Sequence, residues 1–319
     1  MSEKNSLSDN MIALIFFLIP SIMLILGFFV YPISFPPSEI SLILAKIPMF
    51  IGLILLAFGF ICKQKNLGHI IRMSGWVVFA FFWSTMPYFL YASEGNDIFN
   101  AVVCFIGVYV LVYLAYHEWL SLKLNEEISC LKWIAGASGF AGIIYWGIEF
   151  TFLGPALLRI VAEHSAATLN LIMGNTHMVL LDGNHNIIYH GQYVVTIIFA
   201  CTAMQAMVIF IGMIGGLPKV DLKRKIIGLI VTLVPIYFLN LLRNAMVGWL
   251  IGEDIADFHL AHNVISKAGA LITLIVLLLI LIKIIPEIYD EIICLTDLPK
   301  RNGPLEKMFK KVFGRSKKS

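Results

Sequence analysis

Long apolar runs alternate along the chain with short polar connections that carry most of its charge. A helix crosses the roughly 30 Å hydrocarbon core of a bilayer with about 20 apolar residues. Eight segments have the length and composition of such a span: Met11–Val30, Ile40–Cys62, Met73–Tyr91, Ile98–Tyr116, Trp133–Phe152, Val194–Leu217, Ile226–Ile251 and Val264–Ile285. The pattern predicts an all-α polytopic membrane protein with about eight transmembrane helices.

The composition excludes a soluble protein. Of the 319 residues, 59% are hydrophobic and 13% are charged, whereas soluble domains contain roughly 25% charged residues. The net charge of +3 is too small to suggest a nucleic-acid partner. The first span lacks a basic segment before it and a small-residue cleavage site, so we interpret it as a retained signal-anchor.

The basic residues are concentrated on one side of these spans. Nineteen of the 23 Lys and Arg residues lie after spans two, four and six or towards the two chain ends. The other side is acidic and carries Glu39, Glu94, Asp97, Glu163, Asp182, Glu253, Asp254 and Asp257. Because cytoplasmic loops are enriched in Lys and Arg, both termini are predicted to be cytoplasmic. The basic tail after Pro299 is expected to attract anionic lipid headgroups.

One connection, from Thr151 to about Tyr193 on the outer side, is much longer than the others, and long structured loops are usually functional. Its first half, Ala156–Leu171, has apolar residues at helical spacing and predicts an interfacial amphipathic helix. Its second half, Thr176–Gln192, places apolar runs on both sides of Asp182-Gly183-Asn184, which predicts a β-hairpin.

The predicted organisation is a single integral membrane domain. It consists of the first five helices (residues 11–152), the outer loop (153–193), a catalytic three-helix region (194–286) and a basic cytoplasmic tail (287–319).

An ionisable group inside a span is costly and by default indicates a functional site. Arg243 lies in the seventh span with Asn240 three residues before it and Asn244 directly after it. On the predicted topology its depth below the outer end is about 12 Å at 1.5 Å per residue. The alternative is an arginine that snorkels outwards or locks the bundle through Asn240 and main-chain carbonyls.

The five cysteines show no C-x-x-C pair and no metal-ligand spacing. Cys62, Cys130 and Cys294 fall at or beyond cytoplasmic helix ends, in a reducing compartment, and Cys104 lies among apolar neighbours. Cys201 differs because it lies in a run of small residues beside Thr202. Its predicted depth is about 10 Å, close to that of Arg243. The alternative is a cysteine that acts only as a small hydrophobic residue.

Two histidines precede the eighth span. His259 and His262 are three residues apart and can face the same way on a helix, with His262 at the start of the hydrophobic run. A histidine can remove the proton of a cysteine nucleophile, and a nearby cation can stabilise the thiolate. Because arginine is not deprotonated in proteins, its role would be electrostatic. The alternative is a pair of interfacial histidines in contact with solvent.

The remaining outer histidines cluster in the long loop with Asp182: His164, His177, His185 and His190. A metal site there is conceivable, but the spacings match no known ligand pattern, and we interpret them as surface residues. No metal and no cofactor are predicted.

The sequence resembles the exosortase/archaeosortase family, most closely its archaeal branch, at three places between about Tyr193 and Pro286. The matching blocks are Ala200-Cys201-Thr202, Leu239-Asn240-Leu241-Leu242-Arg243-Asn244 and Ala261-His262-Asn263-Val264-Ile265. The resemblance covers less than a third of the chain. The cysteine and arginine blocks are specific when combined, and the third block is looser.

This resemblance implies a membrane-embedded cysteine transpeptidase, a thiol-protease-like acyl transferase of the hydrolase class. Its expected partners are secreted or surface-layer proteins with a C-terminal signal of the PGF-CTERM type: a short motif, a hydrophobic helix and a basic end. The new C-terminus would pass to an acceptor, which in the archaeal branch is a membrane lipid.

The family roles carry over to Cys201 as nucleophile and Arg243 as thiolate or oxyanion stabiliser. His262 is the expected general acid/base, with His259 as the fallback, and Asn240, Asn244 and Thr202 support them. The sequence departs from the family pattern at two positions. Ala203 stands where the family often has glycine, and Asn263 stands where some archaeal members have arginine.

Two functions of other classes remain open. A multi-pass transporter would be expected to show repeat symmetry or charges along a path through the bilayer. A non-enzymatic assembly factor for surface proteins would not require Cys201.

Overall fold

The fold is described by a computed structural model for residues 2–30, 38–92, 97–173, 180–181, 185–189 and 191–313. The helices are α1 (Ser2–Ile25, continued by a π-turn Leu26–Val30), α2 (Glu39–Ile61), α3 (Lys65–Ala92), α4 (Ile98–Leu124), α5 (Ser129–Glu149), α6 (Leu153–Ile172), α7 (Met204–Gly215), α8 (Leu222–Gly252), α9 (Lys267–Ile284), α10 (Glu287–Thr296) and α11 (Pro304–Phe313). A π-helix, His259–Ser266, precedes α9, and 3₁₀ turns cover Phe199–Thr202 and Leu298–Arg301.

The helices confirm an all-α polytopic membrane protein. Over the described ranges, six are long and apolar enough to cross a bilayer, or seven if α5 and α6, bent by 80° at their junction, form one broken span. The sixth predicted span differs, because its helical part is only α7. Twelve residues extend about 18 Å, less than the roughly 30 Å of the hydrocarbon core.

The long connection between α5 and α7 contains the two predicted elements. Helix α6 covers the expected amphipathic segment. Strands β1 (Leu180–Leu181) and β2 (Asn186–Tyr189) pair antiparallel, with Leu181 opposite Ile187, which confirms the hairpin. A third strand, β3 (Gln192–Thr196), extends the sheet in the order β1-β2-β3. The turn Asp182-Gly183-Asn184, His177 and His190 lie outside the described residues.

The chain divides into two compact units, residues 1–140 with 290–319 and residues 141–289. In the first unit, buried side chains of α2, α3 and α4 surround Trp76. Arg72 is 1% exposed and donates to Glu118, which His69 also contacts, so this buried charge is neutralised where α3 meets α4. Neutralisation matters because an unpaired ion in an apolar interior is strongly destabilising.

The C-terminal segment packs onto α4 in the same unit. The Glu306 carboxylate accepts hydrogen bonds from Tyr113 and Tyr116. Burial alone would raise the pKa of Glu306, but His117, a main-chain N–H and Tyr113 lower it to about 2.

Cys130 and Cys294, predicted from the sequence to lie in a reducing compartment, form a disulfide. The start of α5 and helix α10 bring their Cα atoms to within 5.9 Å of each other.

The second unit holds the segment that the sequence predicts to be catalytic. Helix α6 and the small sheet pack on α8, with Leu169, Ile187 and Leu241 in their common core. Gly252 at the end of α8 is required by close packing, since a Cβ there would collide with the Tyr189 ring. The sheet is thereby held against the helix that carries Arg243.

Candidate active site

The turn that carries Cys201 connects β3 to α7. The predicted continuous helix from Val194 is wrong over its first half, because β-branched residues there favour a strand that pairs with β2. After the 3₁₀ turn, Ala203 has φ +59°, a left-handed conformation that interrupts the helix. A left-handed conformation costs an L-residue about 1–2 kcal/mol, which explains why glycine would suit this position.

Cys201 is a free thiol that is 6% exposed. Its main-chain N–H donates to Ile198 at 2.8 Å. Thr202 donates through Oγ1 to Phe199 and accepts from the N–H of Met204, the first residue of α7. The turn is therefore hydrogen-bonded on both sides of the cysteine, and the positive end of the α7 dipole lies immediately after it.

Two asparagines of α8 fix the main chain of this turn. The carbonyl oxygen of Cys201 accepts from Nδ2 of Asn240 at 2.8 Å and from Nδ2 of Asn244 at 3.2 Å. Asn244 also donates to Oγ of Ser165 on α6 at 3.1 Å. Both asparagines are buried, so their hydrogen bonds are protected from competition with water.

Arg243 lies between these asparagines in sequence and is partly buried. Its Nη2 donates to Oδ1 of Asn244 at 3.0 Å. Its Nε is buried and has no hydrogen-bond partner among the residues that the structure describes. Arg243 is close enough to Cys201 for an electrostatic interaction. The cation therefore has an unused N–H near the thiol-bearing turn.

The two candidate histidines occupy different environments. His262 is partly buried, stacks on Phe258 with ring centroids 5.0 Å apart, and lies within electrostatic range of Arg243 and Lys267. His259 is exposed. The expectation that both face the same way assumed an α-helix, whereas this segment is a π-helix with i→i+5 bonds. The side chain of Asn263 lies outside the described part.

An apolar groove lies beside the cysteine turn, between α7, α8 and the π-helix with α9. Its volume is about 440 Å³. Apolar and small side chains form most of the wall, and Arg243, Asn240 and Gln205 are among its polar members. The groove can accept an apolar chain whose polar end reaches Arg243.

Sequence reasoning missed three residues at or near this site. Ser165, which bonds Asn244, lies on an amphipathic face, and Ser266, which lines the groove, lies in a hydrophobic run. No local pattern in the sequence marks either position. Tyr237 contacts Nδ1 of His164, a predicted surface residue, through its hydroxyl at 2.6 Å. Its spacing from Asn240 was a signal, because residues three apart share a helix face.

The fold and the site together define a polytopic helical membrane protein with a buried thiol and a cation on neighbouring elements. Archaeosortase A of Haloferax volcanii is 22% identical over 272 residues, 72% of this chain and 85% of the relative. Archaeosortase A of Natronomonas pharaonis is 24% identical over 245 residues, 67% of this chain and 75% of the relative. These similarities support assignment to the archaeosortase/exosortase family, and with it a membrane-embedded, sortase-like processing enzyme.

No protein-family model and no solved structure matches the chain.

Proposed function

We propose that this protein is a cysteine transpeptidase that cleaves a C-terminal sorting signal from secreted proteins and transfers the new C-terminus to a membrane lipid. The observation that carries the proposal is the turn of Cys201, whose carbonyl is fixed by Asn240 and Asn244 within electrostatic range of Arg243. The similarity to two archaeosortases supports the same chemistry.

The first half-reaction forms a thioester. The Cys201 thiolate attacks the carbonyl carbon of the scissile peptide bond, and the carbonyl oxygen becomes an oxyanion. Arg243 stabilises that negative charge, and its Nε–H, which bonds none of the described residues, is available for this. When the C–N bond breaks, protonated His262 donates a proton to the leaving amine, and the acyl group remains on sulfur.

The second half-reaction resolves the thioester. Neutral His262 removes the proton from a lipid nucleophile, whose oxygen or nitrogen attacks the thioester carbonyl. The C–S bond breaks and the Cys201 thiolate is regenerated. Cys201 is 6% exposed beneath packed α6 and the sheet, and limited access of water favours transfer over hydrolysis.

On the topology predicted from the distribution of Lys and Arg, this site would lie near the extracytoplasmic surface. The proposed substrates are secreted proteins with a short motif, an apolar helix and a basic cytoplasmic end. Such a helix would hold the scissile bond in the outer part of the bilayer, near the predicted depth of Arg243.

The proposal is tested by deleting the protein from the cells that encode it and restoring it on a plasmid. We expect a set of secreted proteins to retain the apolar helix and basic end in the deletion strain and to lose them after restoration. Mass spectrometry of C-terminal peptides from membrane and surface fractions measures this. A transporter or an assembly factor would change protein amounts but leave the C-termini identical, and that outcome would refute the proposal.

The asparagines of α8 provide a second test. Asn240→Ala and Asn244→Ala each remove a donor to the Cys201 carbonyl, and we expect each to slow processing by about tenfold, the value of one or two buried hydrogen bonds. The double variant should lose less than the product of the two, because both act on one carbonyl. Thr232→Ala is the matched control, since among the described residues the buried Thr232 hydroxyl bonds only carbonyls of its own helix. Processing at the wild-type rate by the double variant would contradict this role.

A further inference from the structure

The groove beside Cys201 has one wall made of small residues on consecutive turns. On the α9 side these are Ser266, Gly269, Ala270 and Thr273. The spacing forms two overlapping pairs of small residues four apart, Ser266 with Ala270 and Gly269 with Thr273. In membranes, small residues four apart let two helix backbones approach closely.

The packing of the described residues does not require glycine at position 269. A Cβ built on Gly269 would meet no atom within 4 Å. On the opposite wall, α7 and its preceding turn contribute Ala200, Ala203 and Ala206. The groove therefore has space beside Gly269 for a larger side chain. This favours a helix of another molecule as the occupant of the groove.

The hydroxyl of Ser266 gives an independent indication of a ligand. Ser266 is 1% exposed and lines the groove. Within the described parts of the chain, its Oγ has no hydrogen-bond partner. Burying a hydroxyl without a partner is unfavourable. A polar group of the occupant would satisfy it.

We propose that the groove holds the apolar helix of the protein substrate and that Ser266 positions the first turn of that helix. This proposal rests on the proposed function. The first four N–H groups of a helix have no intrahelical partner, and Ser266 Oγ accepts a hydrogen bond from one of them. On the predicted topology the N-terminal end of the substrate helix lies on the outer side of the membrane. The first turn of that helix is then at the depth of the π-helix that ends at Ser266.

A helix fits these observations better than the acyl chain of a lipid does. A flexible chain packs equally well against large apolar side chains, whereas a helix about 10 Å wide requires small residues on the facing walls. Fixing the first turn also determines which upstream peptide bond reaches Cys201, because each extended residue adds about 3.3–3.6 Å. Ser266 is thus a positioning residue that selects the cleavage point.

Photocrosslinking in cells tests the occupant. A photoreactive amino acid is placed at Thr273 in the Cys201→Ala protein, and at Ile275 as the control, because Ile275 is exposed but does not line the groove. We expect Thr273 to capture the C-terminal apolar segment of the same secreted proteins that accumulate unprocessed in the deletion strain. Crosslinks to lipid alone, or equal capture from Ile275, would overturn the proposal. If no unprocessed proteins accumulate at all, the proposed function fails instead.

Two groups of variants test how the groove works. Ser266→Ala should slow processing about fivefold, the value of one hydrogen bond, and spread cleavage over neighbouring peptide bonds, whereas Ser266→Thr keeps the hydroxyl and should restore a single cleavage point.

Gly269→Leu should reduce processing by at least tenfold. Gly147→Leu is the matched control and should process substrates at the wild-type rate. Gly147 is another exposed helical glycine, and a Cβ added there meets no atom within 4 Å. A single unchanged cleavage point in Ser266→Ala, or wild-type processing by Gly269→Leu, would refute the proposal.

Discussion

Replacing Cys201 with alanine is expected to abolish C-terminal processing, with a loss of at least about 10⁴-fold. The thiolate forms the only covalent bond to the acyl group in the proposed mechanism, so no other side chain can compensate. Cys201→Ser should also be inactive, because a hydroxyl is a much weaker nucleophile than a thiolate at neutral pH. Mass spectrometry of substrate C-termini measures the loss, and a mass increase on the peptide that contains Cys201 detects the thioester in the wild type.

Cys104→Ala is the matched control for this variant. Cys104 is also a free cysteine, lies within the long apolar helix α4 and belongs to the other unit of the chain. It should process substrates at the wild-type rate. Alanine removes only the sulfur at each position, so both proteins should accumulate to wild-type levels. Processing by Cys201→Ala would exclude the transpeptidase mechanism and leave an assembly role.

The sequence was sufficient to identify Cys201 and Arg243 as candidates because buried polar residues are rare in a chain with 13% charged residues. Counting residues from the span ends put both at similar depths, and the structure brings them within electrostatic range. For Arg243 the count assumed a continuous helix, and α8 is a continuous helix of 31 residues. For Cys201 the assumption of a continuous helix was wrong, yet the residue lies near Arg243 because Asn240 and Asn244 hold its carbonyl.

The β3 strand and the π-helix were not predictable from hydrophobicity. An apolar run of β-branched residues reads equally well as a strand or as part of a span, and pairing with β2 decides the case for residues 192–196. The choice between i→i+4 and i→i+5 bonds at His259–Ser266 depends on tertiary packing. The π-helix turns His262 away from His259, and Ser266, its last residue, lines the groove.

Arg243→Lys is expected to reduce processing by about 100-fold, and Arg243→Gln by about 1,000-fold. Removing one donor from an oxyanion site typically costs 10²–10³-fold. Lysine keeps the charge near Cys201 but lacks the planar fork that lets Arg243 bond Asn244 through Nη2 while Nε remains free. Glutamine keeps a donor and loses the charge. Single-turnover formation of the thioester separates these effects from substrate binding.

The matched control is Arg159→Lys on α6, because Arg159 is exposed and, in the described part of the chain, pairs with Glu163 alone, one helical turn away. It should leave processing unchanged, since an exposed ion pair contributes little. If Arg243→Lys processed substrates at the wild-type rate, charge alone would suffice and the free Nε–H would have no part in the reaction. If Arg243→Gln did so, the arginine would be structural. The proposed order, with wild type above lysine and lysine above glutamine, requires that both the charge and the fork of Arg243 act on the oxyanion.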